Sequence, residues 1–80
     1  MNQNDMQKAL WDAAQKGDKE KIRVLVVEGA DVVLTDELGR TALDIANEYG
    51  QLDAIKTLMA AREMQTLMKA GITPGQREAA

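Results

Sequence analysis

The sequence contains no cysteine, no histidine and no serine among its 80 residues. Without cysteine the chain forms neither a disulfide nor a thiolate metal site, and such chains suit a reducing compartment such as the cytoplasm. Without histidine and serine it lacks the usual general base and the commonest hydroxyl nucleophile. These absences exclude a catalytic triad, so we expect a protein that is not an enzyme and holds no cofactor. From the lack of cysteine we expect it to be cytoplasmic.

Carboxylates are the chemically active side chains that remain, and their spacing does not indicate a site. Asp44 and Glu48 are four residues apart, where like charges on a helix face are usually only solvated. Asp31, Asp36 and Glu37 lie close in sequence but lack the spacing of a calcium-binding loop. We therefore expect no metal site, and the glycines are too widely separated for a phosphate-binding loop.

Charge is unevenly distributed within the net value of −3. From residue 28 to residue 53 the only basic residue is Arg40, among seven acidic ones. Such a field repels phosphate backbones, so nucleic acid is not an expected partner. No unbroken apolar run exceeds four residues, and the first residues lack the basic and apolar regions of a signal peptide, so no membrane partner is expected.

Length and composition predict one small folded domain with a thin core. A chain of this size buries only about 60% of the surface that its unfolded form exposes. The hydrophobic fraction of 45% is nevertheless too high for a disordered chain. We expect a domain over residues 1–71 and a mobile tail over residues 72–80; the alternative is a decayed further unit that opens at Thr73.

Cap residues and apolar spacing predict two short helices in the first part of the chain. Asn4 and Gln7 have the spacing of a capping box and predict a helix over residues 5–16. Asp18 can cap a second helix that ends at Gly29. The β-branched residues of that second segment also suit a strand, so local propensity alone leaves its structure open.

The second part of the chain repeats this organisation after an irregular stretch. Residues 29–40 contain turn-forming residues around a short apolar run, which predicts an extended finger or hairpin. Thr41 can cap the next helix, with Asp44 at its third position, and Gly50 ends it. Apolar spacing then predicts one long last helix over residues 52–70.

A shift of 33 residues superposes the two helical pairs on each other. The matching positions are Leu10 with Leu43, Ala13 with Ala46, Gly17 with Gly50, Ile22 with Ile55 and Leu25 with Leu58. A helix–glycine–helix unit that recurs at a fixed spacing indicates stacked repeats whose apolar faces cover one another. The repeat therefore favours a helix over residues 22–27.

Residues 29–32 and 39–46, with Asp36, Gly50, Leu52, Asp53, Ile55 and Leu58, resemble the ankyrin repeat. The family's Thr-Pro-Leu-His tetrad is matched by Thr41-Ala42-Leu43-Asp44, with the proline and the histidine replaced. The resemblance covers about residues 8–61. It implies an all-α, ankyrin-type helical repeat with two helix–turn–helix units, one hairpin-like finger and an extended C-terminal helix.

The resemblance implies a protein–protein interaction module, an adaptor or inhibitor, that binds through the groove between the finger and the first helices. By alignment the groove positions are Thr35, Glu37, Leu38, Arg40, Glu48, Tyr49, Gln15 and Lys16. We expect Leu38 and Tyr49 to anchor a protein partner. The acidic surroundings favour a partner with a basic surface. The alternative for Tyr49 is that its ring lies over its own helix.

A second interpretation places the function in the last helix. Met64, Leu67 and Met68 form an apolar, adaptable stripe that favours self-association. Two repeat units are normally too few for stability, and a homodimer would supply the missing neighbour. The chain would then be a structural homo-oligomeric scaffold, natural or designed.

Three other apolar residues have two interpretations each. Trp11 occupies the position of the tetrad's histidine in the first unit, where its indole either covers the core or contacts a partner; we favour the cover. Val33 and Leu34 stand where the family has small or polar finger residues. They either pack on the helices beneath or meet a partner.

Overall fold

The structure, a computed structural model, describes residues 3–69 and the side chains of residues 4–67. Within this range the chain forms four α-helices and no strand: α1 (Gln3–Lys16), α2 (Lys19–Glu28), α3 (Ala42–Glu48) and α4 (Leu52–Lys69). The predicted tail at residues 72–80 and the side chain of Met68 lie outside the described residues. None of the described helices is long and apolar enough to span a bilayer.

The caps of α2 and α3 confirm the predicted helix starts. The Asp18 carboxylate accepts a hydrogen bond from the backbone N–H of Lys21, and α2 ends at Gly29. Thr41 and Asp44 form a reciprocal capping box, each side chain accepting from the other's backbone N–H at 3.1 Å. These bonds satisfy N–H groups that the first helical turn leaves free.

The start of α1 contradicts the predicted capping box. Asn4 lies within the helix, which is already formed at Gln3. The Gln7 side chain is buried and does not return to the Asn4 backbone, because both of its polar atoms bond the backbone of Asp31. A long-range contact therefore uses the glutamine that the local spacing assigned to a cap.

The backbone of the two units confirms the 33-residue repeat. Gly17 and Asp18 donate to the carbonyls of residues 14 and 13, at 3.3 and 2.9 Å. Gly50 and Gln51 donate to the equivalent carbonyls of residues 47 and 46, at 3.1 and 2.9 Å. Both glycines have positive φ, 76° and 65°. The same turn thus joins both helical pairs, and residues 22–27 are helical, as the repeat predicts.

The two units stack side by side, α1 against α3 and α2 against α4, around a thin core rich in alanine. The buried apolar residues are Leu10, Ala13, Ala14, Ile22, Leu25, Ala30, Val32, Ala42, Ile45, Ala46, Ala54 and Leu58. Small side chains allow the helices to approach closely, so few large residues are needed. Leu52, although part of the apolar spacing that predicted α4, is 69% exposed.

The finger, residues 30–40, joins α2 to α3 through turns. The described residues of the finger form no strand. The hairpin-like prediction therefore holds for the path of the chain, which turns back on itself, but not for strand pairing. α4 continues as helix through residue 62, which is 33 residues after Gly29. The long last helix is therefore confirmed as far as Lys69.

Candidate protein-binding surface

The base of the finger is fixed by Gln7 of α1. Its amide nitrogen donates to the Asp31 carbonyl at 2.7 Å, and its amide oxygen accepts from the Asp31 N–H at 3.1 Å. The side chain is only 2% exposed. One side chain thus satisfies both backbone groups of one finger residue, in the way that a neighbouring strand would.

Gln65 of α4 holds the same segment on its other edge. Its amide nitrogen donates to the Ala30 carbonyl at 2.8 Å, and its oxygen accepts from the Val32 N–H at 3.2 Å. Successive backbone groups of an extended segment point to opposite edges, so the two glutamines bond alternate residues. The extension of α4 past the end of α2 is what brings Gln65 to this position.

The tip of the finger is organised by Asp36. One oxygen of its carboxylate accepts from the backbone N–H groups of Leu38 and Arg40, both at 2.9 Å. The backbone N–H of Asp36 donates to the Arg40 carbonyl at 2.8 Å, which closes the turn. Leu38 therefore lies at a turn whose backbone is bonded on both sides, and its own side chain is 77% exposed.

Arg40 connects this turn to α3. Its Nε and one terminal nitrogen bond Asp36 at 3.1 and 3.0 Å, and the other terminal nitrogen bonds Glu48 at 2.8 Å. The backbone N–H of Arg40, then its guanidinium and the N–H of Leu38, lower the pKa of Asp36. The hydrogen bonds to Asp36 and Glu48 raise the pKa of Arg40. Arg40, predicted as a partner-binding residue, thus has all three nitrogens engaged within the chain.

Tyr49 follows Glu48 directly, at the C-terminal cap of α3, and is 51% exposed. The predicted anchors Leu38 and Tyr49 are therefore both accessible, and the Arg40–Glu48 ion pair joins the elements that carry them. An exposure of 51% fits both interpretations of Tyr49, an accessible anchor and a ring with one face on its own helix.

The remaining predicted groove residues are exposed but less tightly organised. Gln15 and Lys16 end α1, where the Gln15 carbonyl accepts from the Gln51 side chain at 2.8 Å and Lys16 pairs with Asp12. This places the end of α1 beside the end of α3. Thr35 and Glu37 are exposed on the finger.

Trp11 forms the contacts expected of a cover. Its indole packs against the core, and its N–H donates to the Leu34 carbonyl at 3.3 Å. Val33 and Leu34 are each close to half exposed, so neither is fully packed on the helices beneath. The indole thus fixes the middle of the finger while the apolar side chains beside it stay accessible.

A second apolar surface is a groove between α2 and α4, with a volume of about 520 Å³. Its lining combines apolar residues with three polar or charged ones: Val26, Val27, Ala60, Ala61 and Met64, with Arg23, Lys56 and Thr57. Met64 and Leu67, two residues of the predicted self-association stripe, are partly exposed. The third, Met68, lies in α4, and its side chain is outside the described residues.

Sequence reasoning missed the two glutamines and the role of Asp36. Gln7 and Gln65 act over 24 and 33 residues, and no local pattern marks such a contact. Asp36 had a detectable signal, because an aspartate four residues before an arginine within a glycine-containing turn favours an Asx turn. Among residues 3–69 no group of three acidic side chains is arranged to hold a metal ion.

Comparison with known proteins gives one family. A family model described as ankyrin repeats (3 copies) matches residues 1–70. Human ankyrin repeat domain-containing protein 63 is 53% identical over 38 residues, 48% of this chain and 10% of that protein. Mouse GA-binding protein subunit beta-2 is 37% identical over 57 residues, 71% of this chain and 14% of that protein. An ankyrin repeat protein of Rickettsia felis is 44% identical over 46 residues, 58% of this chain and 73% of that protein. The chain thus spans about a tenth of the human relative.

Proposed function

Because this chain belongs to the ankyrin repeat family, we propose that it is a cytoplasmic adaptor or inhibitor that binds a partner protein through its finger and the ends of α1 and α3. Ankyrin repeats generally mediate protein–protein interaction. One relative is named a subunit of GA-binding protein, and this describes a chain that assembles with others. The surface that we propose consists of Thr35, Glu37, Leu38, Arg40, Glu48, Tyr49, Gln15 and Lys16.

The observation that carries this proposal is the fixed, exposed Leu38. A large apolar side chain in a mobile loop loses conformational entropy on binding, which weakens association. Here the backbone on both sides of Leu38 is already bonded to Asp36, and Arg40 ties the turn to α3. Part of the ordering cost is therefore met during folding, and the exposed leucine is ready to enter a pocket on a partner.

The surrounding charge determines the kind of partner that we expect. Arg40 is neutralised by Asp36 and Glu48, so the acidic residues of the region, Glu37 and Asp44 among them, set the sign of the field. A basic surface on the partner would be attracted to this region, and its association rate would fall as salt screens the field.

The proposal is tested by recovering partners from an extract with three forms of the chain as bait. We expect the wild type and Val27→Ala to retain the same partner, and Leu38→Ala with Tyr49→Ala to lose it. Val27 is the matched control, because it is 86% exposed and lies on α2, outside the proposed surface. An anchor that contributes about 1.4 kcal/mol to the binding free energy weakens binding tenfold when it is removed.

The recovered partner is then purified and its affinity measured by calorimetry at two salt concentrations. Equal affinity for the wild type and the double variant, or an affinity that does not fall with salt, contradicts the proposed surface. Loss of binding with Val27→Ala alone would place the interface on α2 instead.

The second candidate is a homo-oligomeric scaffold that assembles through Met64, Leu67 and Met68. It is favoured by one observation, the apolar groove between α2 and α4 that Met64 lines. Solution mass with Met64→Lys tests it, since the lysine would replace an apolar side chain with a charge that assembly would have to desolvate. An oligomer that persists unchanged in this variant contradicts assembly through that stripe.

A further inference from the structure

We propose that the outer face of the second unit binds the same face of a second copy of the chain, about a two-fold axis. We define this end face by its four large apolar residues, Leu43, Leu52, Ile55 and Met59. The inference does not depend on the partner-binding surface, which lies at the finger and at the ends of α1 and α3.

Burial of equivalent residues shows that no described residue covers the end face in the way that the second unit covers the first. In the first unit Leu10 and Ile22 are completely buried. Their equivalents 33 residues later, Leu43 and Ile55, are only partly buried. The two units thus have the same apolar residue types at these positions, but the residues of the second unit are less buried. This is expected of a stacking face of a repeat that has no neighbouring unit.

The contacts of the first unit show which way the other two residues point. Lys19 reaches Asp53 of the second unit at 4.0 Å, and Val26 lines the groove against α4. Both therefore face the next unit. Their equivalents, Leu52 and Met59, face the corresponding direction away from the second unit, and they are 69% and 45% exposed.

The opposite end of the stack has the character of a solvent-exposed surface. Ile45 and Ala54, which are buried, correspond to Asp12 and Lys21 of the first unit, both exposed. A copy that stacked head to tail would bury these charges against apolar side chains, where they would lose their hydration without gaining a partner of opposite charge. Head-to-tail assembly is therefore disfavoured, and a same-face contact avoids those charges.

The course of α4 leaves the end face open to a second copy. A third unit in the same register would end its second helix at residue 62 and begin its finger at residue 63, yet both residues lie within α4. The apolar stripe of Leu52, Ile55 and Met59 ends at Arg62, and this charged residue marks the edge of the end face. A two-fold contact makes the face self-complementary and gives each two-unit stack the neighbour that short repeat arrays need.

The test is solution mass by sedimentation equilibrium, on the full chain, from about 5 to 500 µM, a range that reports dissociation constants down to micromolar values. We expect a dimer for the wild type and for Val24→Lys, whose valine is 55% exposed on α2 and belongs to neither proposed surface. We expect Leu52→Lys to weaken the dimer at least tenfold. This variant is compatible with the fold, because the first unit already has lysine at the equivalent position, Lys19. Circular dichroism checks its helix content.

A wild-type chain that stays monomeric over the whole concentration range would overturn the proposal. It would do so regardless of whether another protein or residues 70–80 cover the face. So would a dimer that resists Leu52→Lys but is lost in Met64→Lys, or a mass that grows beyond the dimer with concentration.

Orientation is tested separately with a nitroxide on Thr66→Cys, the only cysteine of that variant. Mixed with ¹⁵N-labelled wild type, it should broaden the amide signals of Leu43 and Leu52. Broadening at Lys21 instead would show a head-to-tail contact and refute the two-fold arrangement.

Discussion

Replacement of Gln7 by alanine should destabilise the fold far more than its polar character suggests. The substitution removes two hydrogen bonds to Asp31, each worth about 1 kcal/mol net, and leaves two backbone groups of a half-buried residue with no protein partner. It also removes one buried methylene, worth about 0.8 kcal/mol. The expected loss is therefore about 3 kcal/mol, a large part of the stability of a small domain.

Gln15→Ala is the matched control for this prediction. Gln15 lies on the same helix and is exposed, so the same exchange gives the same gain in helix propensity without breaking a side-chain bond to the finger. In urea unfolding at one protein concentration, the midpoint of Gln7→Ala should lie about 3 M below that of the wild type, for a slope of about 1 kcal/mol/M. Gln15→Ala should stay within about 0.5 kcal/mol of the wild type.

Hydrogen exchange adds a local readout to the unfolding curves. The Asp31 amide proton is held by the Gln7 oxygen, so it should exchange faster in Gln7→Ala before global unfolding contributes. The argument that Gln7 fixes the finger would be refuted by two results together. The free energies of unfolding of Gln7→Ala and Gln15→Ala would differ by less than about 0.5 kcal/mol, and the Asp31 amide would be equally protected in both.

Three further predictions use the same unfolding and exchange measurements. Thr41→Ala removes one half of the capping box and should cost about 1 kcal/mol, whereas an unchanged midpoint would contradict the cap. Gly17→Ala should be more destabilising than Gly50→Ala: both have positive φ, but only at Gly17 would a Cβ meet a side chain, that of Gln51, whose amide oxygen would lie 2.5 Å away. The Gln51 side chain would have to move and lose its bond to the Gln15 carbonyl, and equal losses in the two variants would refute this difference. The pKa of Asp36 is lowered in the folded state, so its stabilising contribution is present above its unfolded value of about 3.9 and is lost as pH falls through the lowered pKa. The finger amides should lose protection first in that acid range, and uniform loss over the chain would contradict it.

The sequence predicted the elements whose determinants are local. Asp18, Gly29 and Thr41 act on backbone groups within a few residues, so the bounds of α2 and the start of α3 followed from residue type and spacing. The 33-residue shift also resolved a segment that local propensity left open, because both copies had to satisfy one geometry. The all-α repeat fold was therefore predictable.

The finger and its supports were less predictable, because they depend on contacts between distant residues. The spacing of Asn4 and Gln7 fits a cap, yet the Gln7 side chain instead bonds both backbone groups of Asp31, a half-buried residue 24 positions away. Arg40 matched a groove position, but its role depends on where α3 places Glu48. Leu52 fitted the apolar period of α4, yet no described residue covers it and it is 69% exposed.

Base and tip of the finger are fixed by different residues, so stability and partner binding should respond to different substitutions. Gln7 and Gln65 connect the base to α1 and α4, and the loss of either loosens contacts between the units. Asp36 acts within the tip, through bonds to the backbone of Leu38 and Arg40, and is not among the buried residues of the core. A variant at Gln7 should therefore lower global stability while the tip, once folded, keeps its geometry. A variant at Asp36 should spare most of the core but reduce the fraction of chains whose tip is competent to bind, and the apparent affinity falls in proportion to that fraction.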